Sequence, residues 1–146
     1  CIQAARYTLG QNPIAVEART YKTFQDLMPD MEETIIWHME FPNGAVANCT
    51  ASYAANEDFI RVSAENGTFG LQPAFGYSPP QGNVRSYNMD YHRTNPQAAQ
   101  MDAFARNILD GTPVMASGEE GLTDMKIVEA CYQSAKTRTR IELDWK

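Results

Sequence analysis

The residues with the clearest chemical potential lie between positions 72 and 100, where proline, glycine, tyrosine and asparagine are frequent. The side chains there that can bond hydroxyl groups are Tyr77, Tyr91, His92, Asn95, Gln97 and Gln100. Neutral amides and phenols are the groups with which a pocket fixes the orientation of a polyol. A solvated loop with aromatic anchors has the same composition, so the residues alone leave both interpretations open.

Motifs for other kinds of chemistry are missing from the sequence. It contains no GxGxxG turn and no P-loop, so we predict no dinucleotide or phosphate site within the chain. The run Gly118-Glu119-Glu120-Gly121 is better explained as a helix N-terminus with glutamates in its first turn. The three cysteines are far apart and lack CxxC spacing, which indicates neither a disulfide framework nor a zinc site. His38 is interpreted as a strand residue satisfied by a neighbour.

Length and charge narrow the class of protein further. The chain has 146 residues, 43% of them hydrophobic, and we predict a single domain with its own core over 1–146. The formal net charge of -6 repels phosphate backbones, so nucleic acid is not an expected partner. No apolar run reaches the roughly 20 residues that span a bilayer, so a membrane is not an expected partner either.

The elements that must position the polar segment are mostly strands. Alternation of apolar and polar residues predicts strands at 14–21, 34–41, 45–53, 59–65 and 68–71. The strand 34–41 is predicted to bury one face, formed by Ile35, Trp37, Met39 and Phe41. Asn43-Gly44 predicts a type I′ turn, and Asn66-Gly67 predicts a second tight turn. We therefore predict a four-stranded antiparallel meander over 34–71.

Helices are predicted at both ends of the chain. Apolar residues at helical spacing begin at Ile2, and Gly10 is predicted as the left-handed residue that ends this helix. A second, amphipathic helix follows the polar segment and ends at Gly111. Ser117 and Glu120 form a capping box for a third helix. Its predicted buried face consists of Leu122, Met125, Val128 and Cys131. Short strands are predicted within 84–89 and 140–143.

Six segments of the sequence occur in the order found in one oxidoreductase family. They are Arg6-Tyr7-x-x-Gly10, the strand 35–41, Pro73-Ala74-x-Gly76-Tyr77, Asn95-x-x-x-x-Gln100-Met101-Asp102-x-x-Ala105, Gly118-Glu119-Glu120-Gly121-x-x-Asp124, and Ala135-Lys-Thr-Arg-x-x-x-Glu142-x-Asp144-Trp145. Together they resemble the C-terminal domain of Gfo/Idh/MocA-type oxidoreductases, over essentially the whole chain. The sequence is most similar to the glucose–fructose oxidoreductase branch.

The resemblance implies an α+β fold like the C-terminal domain of glyceraldehyde-3-phosphate dehydrogenase. That fold is a large open, mostly antiparallel β-sheet with helices packed on one face. NAD or NADP is then bound by an N-terminal Rossmann domain, which is absent from this chain. Hydride moves between the nicotinamide and a sugar or polyol. The other face of the sheet commonly meets a second subunit, so the resemblance implies a homo-oligomer, at least a dimer.

The resemblance also implies roles for individual residues. Tyr77 is expected to reach toward the nicotinamide and the sugar, and His92, Asn95 and Gln97 are further candidates for substrate binding. An aromatic residue often stands in the place of Gln97, which leaves the shape of the sugar pocket open. The lysine and the tyrosine that serve the chemistry in this branch lie ahead of Cys1. The resemblance therefore assigns no catalytic residue, cofactor contact or metal ligand within the chain.

Two functions remain in competition at this point. The leading one is the substrate-side and dimerisation domain of an NAD(P)-dependent sugar oxidoreductase, inactive as this fragment alone. The alternative is a stand-alone, non-catalytic sugar-binding or dimerisation module. Arg6 and Tyr7 are expected to lock the first helix onto the sheet. Free cysteines and the lack of an export signal favour the cytoplasm, and a periplasmic location stays open because a signal upstream of Cys1 would escape notice.

Overall fold

A computed structural model describes residues 1–23, 29–76, 80–89 and 94–145. Within these ranges the chain forms three α-helices and eight β-strands, and every strand pair is antiparallel. The predicted α+β class is confirmed. In chain order the elements are α1 (Ile2–Leu9), β1 (Ala15–Tyr21), β2 (Thr34–Glu40), β3 (Val46–Ser52), β4 (Ile60–Ala64), β5 (Gly67–Leu71), β6 (Gly82–Val84), β7 (Tyr87–Met89), α2 (Pro96–Asp110), α3 (Gly118–Thr137) and β8 (Ile141–Glu142).

The strands divide over two four-stranded sheets. The first has the order β3-β2-β1-β8 and the second the order β4-β5-β6-β7. The predicted meander over 34–71 is wrong, because β3 and β4 belong to different sheets. Residues 53–59 separate these strands, and such a connection is longer than the usual hairpin loop. The chain accordingly forms two compact units, Cys1–Glu57 with Ala116–Lys146, and Asp58–Met115.

The first sheet is built around the strand with the clearest alternation. In the antiparallel register, Trp37 and Met39 of β2 lie opposite Ala18 and Val16 of β1. All four are buried, and Phe41 follows them on the same face. Apolar side chains at alternate positions thus leave water together, which is the main driving force for forming this layer. The predicted buried face of this strand is confirmed at Trp37, Met39 and Phe41, and Ile35 packs against the same core while only partly buried.

Helix α3 covers this face with a buried stripe that shares only Cys131 with the predicted one. The buried residues of α3 are Ile127, Ala130, Cys131 and Ser134. Leu122 and Met125, predicted to be buried, are 59% and 61% exposed. Periodicity alone does not select which stripe of the helix faces the sheet, and the stripe that packs there combines Ile127 with the smaller side chains at 130, 131 and 134.

The first hairpin has a three-residue loop, which is not the predicted type I′ turn. The N–H of Phe41 donates to the carbonyl of Ala45 at 2.9 Å and closes the loop Pro42–Gly44. In this loop only Gly44 has a positive φ, at 83°. A type I′ turn needs two such residues in succession, and proline holds φ negative at the start of the loop.

Helix α1 ends as predicted and is tied to α3. Gly10 has φ 64° and ends the helix in the left-handed conformation. The Arg6 guanidinium is buried, at 2.6 Å from Asp124 and 2.9 Å from Glu120. Arg6 therefore does lock the first helix, although its partners belong to α3 and not to the sheet. Tyr7 is exposed, so the locking role predicted for it is not observed among the described residues.

The second sheet consists of two hairpins, β4–β5 and β6–β7, which are joined by the pairing of β5 with β6. Ala64 pairs with Gly67, so the turn is Glu65–Asn66, one residue earlier than predicted. The strand predicted within 84–89 is the β6–β7 hairpin, which turns at Arg85 with φ 55°. The Arg85 guanidinium donates to the carbonyl of Asn66 at 2.9 and 2.7 Å and so links the two turns.

Helix α2 follows the second sheet in the same compact unit. It ends at Gly111, where φ is 65°, as predicted. None of its residues is buried. The exposed apolar side chains are Met101, Phe104, Ile108 and Leu109. Among the described helices, none combines the length and the apolar character required to cross a membrane.

Candidate functional site

Of the four residues predicted to bind substrate, Tyr77 and His92 lie outside the described residues. Asn95 and Gln97 lie at the start of α2, and both are exposed. The convergence of all four on one pocket therefore stays a prediction.

The carboxamide of Asn95 caps α2. Its Oδ1 accepts hydrogen bonds from the N–H groups of Gln97 and Ala98, each at 3.1 Å. Asparagine is a preferred N-cap, and Pro96 suits the first helical position because it has no N–H to leave unpaired. The oxygen is thus engaged in the fold. A sugar contact of Asn95 would have to use the side-chain N–H₂ group, which donates to no described residue.

The backbone directly ahead of Tyr77 is held by a carboxylate that sequence reasoning did not single out. Asp58 Oδ1 accepts hydrogen bonds from the N–H groups of Ala74 at 2.8 Å and Phe75 at 2.6 Å. The pKa of Asp58 lies below its ordinary value because the N–H groups of Phe75, Ala74 and Gly76 stabilise the carboxylate. This contact orders the Pro73-Ala74-x-Gly76 part of the segment that carried the family resemblance.

The hairpin register explains why Asp58 reaches these N–H groups. Ile60 pairs with Leu71, so the antiparallel register continued backwards brings position 58 opposite position 73. Pro73 has no N–H and cannot extend the ladder. The backbone ladder therefore does not continue at Pro73. The carboxylate of Asp58 instead accepts hydrogen bonds from the next two backbone N–H groups, those of Ala74 and Phe75.

A backbone hydrogen bond closes the connection between β5 and β6 at its base. The N–H of Gln72 donates to the carbonyl of Gln81 at 2.9 Å. Tyr77 lies midway between these positions in the sequence. Two features of the described residues therefore act on the loop that contains Tyr77: its base is closed, and its first half is bound to Asp58.

A signal for Asp58 is present in the sequence but becomes specific only with the register. It is an aspartate two residues ahead of a strand, facing a proline two residues beyond the partner strand. The misplaced second turn, Asn66–Gly67, would pair position 65 with 68 and so shift this register by two residues. Position 58 would then lie opposite position 75, and the proline that interrupts the ladder opposite Asp58 would be missed.

The thiols of Cys49 and Cys131 are poor nucleophiles and poor metal ligands. Burial raises the pKa of Cys49 to about 11 and that of Cys131 to about 12. The thiolate is the reactive and metal-binding form, and at neutral pH these groups are protonated. Within the described ranges no group of three His, Cys, Asp or Glu side chains is arranged to hold a metal ion.

The described residues do not fit a dinucleotide. A pyrophosphate is normally held by a glycine-rich turn between a strand and a helix of a parallel βαβ unit, and every described strand pair is antiparallel. Ser117 caps α3 at the glycine-containing run 118–121, and its first turn carries Glu119 and Glu120. The hydroxyl of Ser117 keeps the pKa of Glu119 below its ordinary value, so this helix end carries negative charge that repels phosphate.

The face of the first sheet opposite α3 is lined with charged side chains. Arg140 binds both oxygens of Glu40 at 2.9 Å and thereby holds the pKa of Glu40 below its usual range. Arg19 binds Glu17 at 2.8 Å. His38 Nε2 is 3.8 Å from Glu17, which agrees with a strand histidine beside a carboxylate and is too long for a hydrogen bond.

Comparison with known proteins gives a consistent family. A family model described as "Oxidoreductase family, C-terminal alpha/beta domain" (GFO_IDH_MocA_C) matches residues 2–143. The D-xylose 1-dehydrogenase [NADP(+)] of Haloarcula marismortui is 25% identical over 98% of this chain and 41% of its own length. The D-xylose 1-dehydrogenase (NADP(+)) 2 of Haloferax volcanii is 29% identical over 98% of this chain and 45% of its own length. The chain thus spans less than half the length of these relatives.

A solved structure gives the same result at the level of the fold. The aldose-aldose oxidoreductase of Caulobacter crescentus, complexed with glycerol, superposes on this chain with a TM-score of 0.91 at 30% identity. The superposition covers 96% of this chain and 44% of that protein. The arrangement of helices and sheets described above is therefore that of the matching part of a sugar oxidoreductase.

Proposed function

This chain belongs to the Gfo/Idh/MocA family of oxidoreductases, and we propose that it is the substrate-side domain of an enzyme that transfers hydride between NAD(P) and a sugar or polyol. The observation that carries the proposal is the family match over residues 2–143, whose named relatives act on sugars. Neutral hydroxyl-binding side chains in the loop from 72 to 97 agree with a sugar substrate.

The proposed substrate contacts are Tyr77, His92, Asn95 and Gln97. Asn95 and Gln97 share the first turn of α2, so both would approach the sugar from one helix end. The Asn95 N–H₂ group and the Gln97 carboxamide have no hydrogen-bond partner among the described residues. Polar groups of this kind are available to a ligand at no cost to the fold.

The proposal is tested with the complete gene product that contains these residues. Sugar-dependent reduction of NAD⁺ and of NADP⁺ is followed over a panel of aldoses that includes D-xylose. Tyr77→Phe should lower kcat/KM for the preferred sugar about two- to tenfold, the loss of one hydrogen bond, with little change in Tm. Tyr87→Phe, which alters an exposed residue of β7, is the matched control.

Three results would count against the proposal in different ways. No activity and no coenzyme binding, with sugar binding retained, would support the stand-alone sugar-binding module instead. Coenzyme reduction without dependence on any sugar would remove the proposed substrate class. Unchanged kinetics in Tyr77→Phe would remove Tyr77 from the site and leave the rest of the proposal standing.

NAD or NADP is proposed to bind to a nucleotide-binding domain outside residues 1–146. The antiparallel sheets and the acidic start of α3 support this, because they offer no place for a pyrophosphate. The exposed apolar side of α2 supports a partner of this kind, since an amphipathic helix normally buries such a side. Leu109→Ser should weaken domain docking, measured as faster proteolysis between the domains, whereas Asp110→Ser should not.

A homo-oligomer is proposed to form through the charged face of the first sheet. Ile36 and Val46 are exposed apolar residues on that face, set among ion pairs of both signs. A two-fold axis brings the same patch of two subunits together, so a face that carries both signs can be self-complementary. Sedimentation should show at least a dimer, and Val46→Glu should shift it toward monomer. A strict monomer at high concentration would contradict the proposal.

A further inference from the structure

The aspartate that precedes β4 is the strongest feature that the proposed function leaves unused. Its side chain lies outside the predicted substrate set, yet it makes two hydrogen bonds to backbone N–H groups 16 and 17 positions away. Both groups belong to the segment that leads directly into Tyr77. We propose that Asp58 is a positioning residue that holds this loop in the form that binds sugar, an inference that rests on the proposed function.

The two hydrogen bonds of Asp58 to the N–H groups of Ala74 and Phe75, called the clamp below, have the geometry of a specific contact and not of an incidental surface one. One oxygen of Asp58 accepts from both Ala74 and Phe75, at 2.8 and 2.6 Å. Hydrogen bonds to an ionised acceptor are short and about twice as strong as neutral ones. Successive N–H groups that point at one oxygen fix the direction of the backbone over two residues. This contact therefore sets the direction of the backbone at positions 74 and 75, the described residues that precede Tyr77.

The clamp can act on the loop without deforming the sheet. Asp58 precedes the first paired residue of β4, Ile60, and the N–H groups that it binds follow the last paired residue of β5, Leu71. The closure at the base, from Gln72 to Gln81, does not involve Asp58. Loss of the carboxylate should therefore release the first half of the loop while β4, β5 and β6 stay paired.

The inference predicts a kinetic pattern that general destabilisation would not give. In the complete enzyme, Asp58→Ala should lower kcat/KM for the sugar on the order of tenfold, the loss of charge-assisted hydrogen bonds. The KM for the coenzyme and the Tm should stay close to wild type. Asp58→Asn keeps a neutral acceptor of the same shape and should recover part of the loss.

A double-mutant cycle tests whether Asp58 acts through Tyr77. If it does, Asp58→Ala should cost much less in a Tyr77→Phe background than in the wild type, because the contact that it positions is already gone. Glu57→Gln is the matched control, since it removes the same charge from the adjacent exposed residue, which has no hydrogen-bond partner among the described residues. This control should match wild type in every assay.

Amide hydrogen exchange in the same proteins measures the effect of Asp58 on the backbone independently of its effect on catalysis. Ala74 and Phe75 should be protected in wild type and in Glu57→Gln, and should exchange faster in Asp58→Ala. Equal sugar kinetics in wild type and Asp58→Ala, or equal exchange at both amides, would overturn the inference. If the wild type oxidises no sugar, the proposed function fails. In that case faster exchange in Asp58→Ala still supports the clamp, and unchanged exchange refutes it.

Discussion

The guanidinium of Arg6 and the carboxylate of Asp124 lie 2.6 Å apart although 118 positions separate them in the sequence. Arg6 is 7% exposed and Asp124 is 27% exposed. Two of the segments that carry the family resemblance, Arg6-Tyr7-x-x-Gly10 and 118–124, are therefore joined in space. Their joint presence thus has a structural explanation, the contact between α1 and α3.

Removing one side of this ion pair should destabilise the fold. Asp124→Ala leaves a buried guanidinium with Glu120 as its remaining carboxylate partner, so we expect a loss on the order of 2 kcal/mol, below the usual cost of a fully orphaned buried charge. Chemical denaturation of the variant measures it. Asp102→Ala, which removes an exposed carboxylate from α2, should change the free energy of unfolding by less than about 0.5 kcal/mol. Equal effects of the two substitutions would contradict the structural role of the pair.

The hydroxyl of Ser134 should contribute measurably to the free energy of unfolding. It accepts from the N–H of Ala18 at 3.0 Å, donates to the carbonyl of Thr139 at 2.6 Å and is fully buried. Ser134→Ala should leave the Ala18 N–H unsatisfied and cost about 1–3 kcal/mol. The exposed Ser63 of β4 provides the control, since Ser63→Ala should be nearly neutral. A Tm for Ser134→Ala within about 1 °C of wild type would show that water replaces the hydroxyl.

Two glycine substitutions should have opposite effects on stability. A Cβ at Gly70 would collide with the backbone carbonyl oxygen of Ile60, so Gly70→Ala should disrupt the β4–β5 hairpin. A Cβ at Gly121 would meet nothing within 4 Å, and its position inside α3 favours alanine. Gly121→Ala should therefore stabilise the chain by about 0.5–1 kcal/mol. Thermal unfolding of both variants checks the contrast, and a change of the same sign in both would refute it.

Acid should release the contact between Asp58 and the backbone at positions 74 and 75. The pKa of Asp58 is lowered by its bound N–H groups, so the contact is present above the ordinary pKa of aspartate and is lost as the pH falls through the lowered value. The amide chemical shifts of Ala74 and Phe75 should titrate together, with a midpoint below that of aspartate in an unstructured peptide. A midpoint at or above the peptide value would mean that the hydrogen bonds do not persist in solution.

The sequence by itself determined the elements whose signals are local. The alternation of β2, the left-handed Gly10, the end of α2 at Gly111 and the cap at Ser117 were all predicted and are all present. Each depends on the conformations of a few neighbouring residues, so a short window contains the whole physical cause. The order of the six family segments, which indicated the family, could also be read from the sequence, because order along the chain does not depend on distance in space.

Only the tertiary structure decided how these elements meet. The division into two sheets, the stripe of α3 that faces β1 and the reach of Asp58 to the backbone at 74 and 75 depend on register and on packing between residues far apart. Hydrophobic periodicity does not record which stripe of a helix meets the sheet, so it selected Leu122 in place of Ile127. A one-residue error in a turn displaces every cross-strand neighbour, and for that reason the clamp on the loop ahead of Tyr77 became visible only in three dimensions.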